Sequence, residues 1–141
     1  MLTDPATWLL VVAAAHLGFQ ATVDLVVYPA LADVPASGWA EAHRRHSRRI
    51  TPVVAVIYPA LVVLVVWTLL AEPRDTGAWL AFTGGLLSVV TTAAVAAPTH
   101  GRLGGSPPQE RPQLLRRLDQ ADRVRTVGAL VCLVGSLLLV A

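Results

Sequence analysis

The sequence predicts an all-α fold: one integral-membrane four-helix bundle, residues 1–141, with helices two and four extended on the cytoplasmic side. Three observations carry that prediction. The chain is 55% hydrophobic and 14% charged, with a mean hydropathy of +0.60. So small a body has too much surface for its volume to hide that much apolar side chain in water. The apolar residues fall into four runs, about 8–31, 50–70, 78–97 and 124–141, each near the roughly 20 residues that cross a hydrocarbon core. The eleven basic residues are all arginine, and ten lie between runs one and two, or between runs three and four and at the start of run four. Only Arg74, beside Glu72 and Asp75, lies in the remaining connection. Positive loops stay inside. The expected topology is therefore multi-pass in the inner (plasma) membrane, with both termini outside and both large loops cytoplasmic.

Each element has its own local reason. MLTDPAT lacks the basic region of a cleaved signal, so Asp4 is expected to cap helix one with Pro5 in its first turn. Residues 33–38 (DVPASG) read as a turn in which Ser37 caps the next helix. That helix opens as the polar stretch WAEAHRRHSRRI and is expected to break at Thr51-Pro52, where proline removes a donor. Pro59 is expected to kink the second span by freeing the carbonyl of Ala55. EPRDTG is a tight external loop. The third span is expected to close at Ala97-Pro98, followed by an irregular Gly/Pro-rich connector to about Pro112. A helix then runs from LLRRLDQADRVR into the fourth span. The lone Cys132 lies inside that span, where packing is its expected role and no disulfide can form within one chain.

Polar residues inside the runs are the candidates for function. His16, Gln20, Asp24 and Tyr28 recur every four residues and form one stripe, drifting about 40° per step. A carboxylate in hydrocarbon costs about 2.5–3.5 kcal/mol on insertion scales, so the stripe must face other helices, and Asp24 marks a site. A structural ion pair with a nearby arginine is the bland alternative. The segments HLGFQATVDLVVYPAL and HSRRITPVVAVIYPAL echo one another, and chance repetition in a chain dominated by Val, Ala, Leu and Pro accounts for the echo as well as a shared origin does. Paired as a hairpin, they put His16 level with Tyr58 and His46 level with Tyr28. At the arginine-rich end, His43, His46, His100, Asp119 and Asp122 form a constellation with the composition of a non-haem iron or other divalent-metal site. An organic-ligand pocket without metal, or a purely structural network, is equally consistent with those letters. Two histidines at one depth for a bis-histidine haem are not evident, which leaves haem the weaker option.

Two stretches carry a family resemblance. APTHGRLGG followed by LLRRLDQADRVRTVGAL resembles the carboxy-terminal half of small four-span proteins of the anthrone-oxygenase-like type. Pro98, His100 and Leu103 match one motif and Arg125-Thr126 the other. A weaker likeness, in span one, is to the haem-carrying protoporphyrinogen oxidase of bacteria. The first resemblance implies an oxidoreductase or oxygenase acting on a lipophilic aromatic molecule. Its expected reactive group is His46, His100, Asp24 and Asp122, backed by His43 and Asp119, with Arg123 or Arg125 orienting an anionic oxygen. His16, Gln20, Tyr28 and Tyr58 are the expected substrate contacts. The alternative is a non-enzymatic ligand-binding, transport or complex-subunit protein. Small residues along span three suit close packing within one bundle or with a second copy. The expected partners are the bilayer and a lipophilic small molecule. Nothing here calls for nucleic acid, because no aromatic residues interleave the arginines.

Overall fold

The computed structural model describes residues 4–141. Met1–Thr3 lie outside the described residues, so the reading of the amino terminus is followed from Asp4 onward. Four helices, each long and apolar enough to cross a bilayer, make up the chain: α1 (Pro5–Ala32), α2 (Ala36–Ala71), α3 (Thr76–Leu103) and α4 (Arg111–Val140). Their short connections force consecutive helices to run antiparallel. One end of the bundle therefore gathers ten of the arginines, and the other holds the α2–α3 loop. We call these the basic end and the opposite end.

The helix starts follow capping rules in part. Asp4 accepts from the Ala6 amide at 3.1 Å, with Pro5 in the first turn. Asp75 accepts from the Ala78 amide at 3.0 Å, and the Trp79 indole closes the same loop by donating to the Pro73 carbonyl at 3.0 Å. Ser37 does not cap α2: it sits in a 3₁₀ turn, Ala36–Gly38, and the cap position falls on Gly38 without a side-chain bond.

Prolines behave differently from the expectation. The regular part of α2 runs unbroken from Trp39 to Ala71 through both Pro52 and Pro59, so no interruption occurs at Thr51-Pro52. α3 likewise continues past Pro98 to Leu103, which shortens the irregular connector to residues 104–110 and extends α3, too, at the basic end. The helix survives Pro98 by widening before it. Thr92–Ala96 is a π turn, closed by the Ala97 amide donating to the Thr92 carbonyl. α1 repeats the device: Val23–Val27 is a π turn closed by the Tyr28 amide onto Val23, followed by Pro29. In each case the carbonyl four residues before the proline, which its ring would strike, lies within the widened turn.

Packing is uneven. α3 and α4 meet along Gly77, Ala81, Gly84 and Ser88 on one side and Gly128, Cys132 and Gly135 on the other. A Cβ placed on Gly84 would lie 2.4 Å from the Cys132 backbone nitrogen, and one on Gly135 would lie 2.4 Å from that of Ala81. Backbone meets backbone here. Two apolar clusters fill the rest of the interior. Leu9, Ala13, Leu61, Val65, Ala81 and Cys132 close the opposite end, and Val23, Leu31, Trp39, Ala96, Leu103 and Leu118 lie towards the basic end. Outward faces are apolar as well, with Leu25 and Leu70 each 74% exposed. Polar residues between the two clusters form the site.

Candidate functional site

His16 and Gln20 of α1 and Asp122 of α4 are fully buried, and Arg125 nearly so. The Arg125 guanidinium pairs with the Asp122 carboxylate and also donates to the Tyr28 hydroxyl at 3.1 Å. The Gln20 amide reaches the same carboxylate oxygen at 3.5 Å. A charge so enclosed is stable only with a partner and further hydrogen bonds, and this network supplies both. The close α3–α4 packing fixes its height: the Ser88 hydroxyl donates to the Arg125 carbonyl at 2.9 Å. Thr92, one turn on, donates to the Ser88 carbonyl at 2.8 Å and shares a 2.9 Å hydrogen bond with the Tyr58 hydroxyl.

Three imidazoles continue the site towards the basic end. The His100 ring centroid lies 5.9 Å from that of His43 and 5.8 Å from that of His46, and 6.1 Å from the Tyr28 ring. His43 stacks in turn on Trp39 at 5.8 Å. Trp39 is anchored by its indole, which donates to the Leu103 carbonyl at 3.2 Å, and Arg111 covers the ring at 5.1 Å. Trp39 thus ties the start of α2 to the end of α3 and sets the position of His43.

Some of these groups border a cavity of about 400 Å³, within the range of small-molecule sites, while His46 lines a different cavity, between α1 and α2. Tyr28, His43, Thr92, His100 and Arg125 give it polar groups, and Phe19, Val23, Ile50, Val54 and Ala96 give it apolar ones. The chemical content is a hydrophobic pocket with a cation, a phenol and imidazoles gathered on its polar side.

Several expected residues converge and others do not. His16 and Tyr58 are level with one another, their rings edge-on at 5.1 Å, as the hairpin pairing predicts. Tyr28 and His46 both meet His100 instead of each other. His16 and Gln20 stand behind the cavity and are not part of its lining. Asp24 departs from the stripe. The π turn absorbs one extra residue, about 100° of rotation, which returns Tyr28 to the inward side below Gln20. Asp24 is half-buried in another depression, with Arg116 and Asp119, that touches the cavity's lining only through Tyr28. The expected grouping of Asp24 with His46 and His100 is therefore not formed. Arg123 is also outside: it pairs with Asp119 at 3.0 Å and is 72% exposed, so Arg125 alone of the two faces the cavity.

The expected metal ligands do not assemble. A divalent ion needs three or more donors converging at about 2.0–2.3 Å. Among the described residues no group of three His, Cys, Asp or Glu side chains is arranged to do this. Asp119 and Asp122 are engaged by arginines, while His43 and His46 pack on the His100 ring.

Sequence reasoning missed Trp39 and Thr92 as parts of the site. Trp39 had a signal, as the one aromatic residue at the head of a polar helix. Thr92 stood out only as one small residue among many. No known family, no curated protein and no solved structure matches the chain.

Proposed function

We propose that the chain is a multi-pass plasma-membrane protein that binds a lipophilic aromatic molecule bearing an acidic oxygen and oxidises it, in the manner its resemblance to anthrone-oxygenase-like proteins implies. One observation carries the reading: a 400 Å³ cavity bordered by Arg125, Tyr28, His43 and His100 together with apolar side chains. The arginine distribution supports an orientation with the basic end in the cytoplasm.

In this reading the aromatic body lies against Phe19, Val54 and Ala96, and the Arg125 guanidinium and Tyr28 hydroxyl hold its oxygen as a phenolate or enolate. His100 accepts the proton from the ring methylene. Dioxygen, the oxidant, adds to the resulting carbanion to give a peroxide on that carbon. Reprotonation and loss of water leave a ketone. One CH₂ and one O₂ thus become one C=O and one H₂O. No step is routed through a metal, because the donors do not converge.

The test is turnover of an anthrone by purified protein in nanodiscs, read as quinone absorbance with oxygen uptake. Wild type is expected to consume one O₂ per quinone, and His100→Gln to lose at least about 10²-fold, the low end for a general base. No quinone above the uncatalysed rate ends the oxygenase reading. Saturable binding of the anthrone without turnover leaves a ligand-binding membrane protein.

A further inference from the structure

On the α1–α2 flank of the basic end lies a second, open cavity of about 520 Å³. It is separate from the first but shares Phe19, Val23 and Ile50 as its wall. Its α1 side is apolar apart from Thr22, whose hydroxyl donates back to the Gly18 carbonyl at 2.8 Å: Val26, Val27, Ala30 and Leu31 recur at spacings of one and three, a single helix face. Its α2 side changes character with depth. Arg45 and Arg49, four apart and on one face, stand at the outer end. Val53 lies one turn deeper, about 6 Å along the axis.

We propose that this groove seats one anionic phospholipid, its phosphate between Arg45 and Arg49 and an acyl chain along α1. The proposal rests on the membrane reading above but not on the oxygenase reading. Charge favours this occupant. Glu41 engages Arg44, and Arg45 at 3.6 Å, while Arg49 has no carboxylate partner among the described residues. Four arginines on this stretch against one glutamate leave a positive rim over an apolar floor. Guanidinium forks match phosphate oxygens two at a time, and a zwitterionic lipid would bring its own cation to the same rim. Free phosphate has no use for the floor.

The full chain is reconstituted in nanodiscs of mixed phosphatidylcholine and phosphatidylglycerol, released into detergent and weighed by native mass spectrometry. Wild type is expected to keep one phosphatidylglycerol. Arg45→Gln with Arg49→Gln should lower its affinity about thirtyfold, taking roughly 1 kcal/mol per arginine near an anionic surface and 1.4 kcal/mol per tenfold. Ala30→Trp, which fills the groove from an exposed position and leaves both arginines in place, should also release the lipid. Arg116→Gln with Arg117→Gln should retain it. Equal retention after Arg45 and Arg49 are replaced, equal retention of phosphatidylcholine, full competition by inorganic phosphate, or particles holding two chains and no lipid would each overturn the proposal. A chain that never enters the nanodisc overturns the membrane reading, and is told apart from one that inserts and weighs without lipid.

Discussion

The α3–α4 seam and the α1–α2 flank are built from similar apolar letters and pack in opposite ways. Along the seam, glycine, alanine and serine let two backbones touch. Across the flank, Phe19, Val23 and Ile50 hold the helices apart and leave a cavity on each side. The difference shows a division of labour. The rigid pair presents Arg125 and Thr92 at fixed height through Ser88, while the looser pair supplies volume. A bilayer gives little hydrophobic drive to press helices together, so it is the small residues of α3 and α4 that decide where the bundle is tight.

The sharpest way to break the contrast is to open the seam. Gly84→Val places a side chain against backbone atoms that cannot rotate away, and should cost about 4 kcal/mol, above the usual 1–3 for overpacking. Thermal unfolding in detergent would read it, and survival with an unchanged midpoint would show the seam to be loose. Next is Arg125→Ala, which leaves the Asp122 carboxylate buried and unpaired and should cost about 3 kcal/mol. Pairing Arg125→Met with Asp122→Leu should recover most of that loss in the same assay. On the flank, Ile50→Ala should cost only about 1 kcal/mol, because the residue is half-buried beside existing space, and it should raise the on-rate of a lipophilic ligand to the inner cavity. Smallest is Arg123→Ala, which removes an exposed pair with Asp119 and should move stability by less than about 0.5 kcal/mol.

Much of the architecture was legible because hydropathy and helix length are local properties. Four long apolar helices, the Asp4 start, and a restart beside Pro112 all follow from composition and capping; the Asp75 cap went unread within the EPRDTG loop. What escaped is what depends on the neighbours of a residue. Thr51-Pro52 and Ala97-Pro98 read as breaks because proline removes a donor, yet the helices carry through. Asp24 read as the centre of the site because a carboxylate in an apolar run is costly unless it is answered inside the bundle, yet it lies half-buried in a depression with Arg116 and Asp119. The convergence of His43, His46 and His100 was visible as a density of imidazoles near one end. That His43 and His46 both pack on His100, with Trp39 stacked on His43, and do not form a shared centre with Asp122, depends on three-dimensional placement that letters alone do not encode.

The two widened turns carry a consequence for chain length. Each holds one residue more than a regular turn, so losing one residue from Val23–Val27, or from Thr92–Ala96, would leave an ordinary helix with its later side chains still aimed as before, but with the following proline ring against the carbonyl four residues earlier. Elsewhere in a packed helix the same loss would swing everything beyond it by a quarter turn or more. Single-codon deletions should therefore spare the fold at these two places when Pro29 or Pro98 is replaced by alanine in the same chain, and nowhere along the glycine-lined seam.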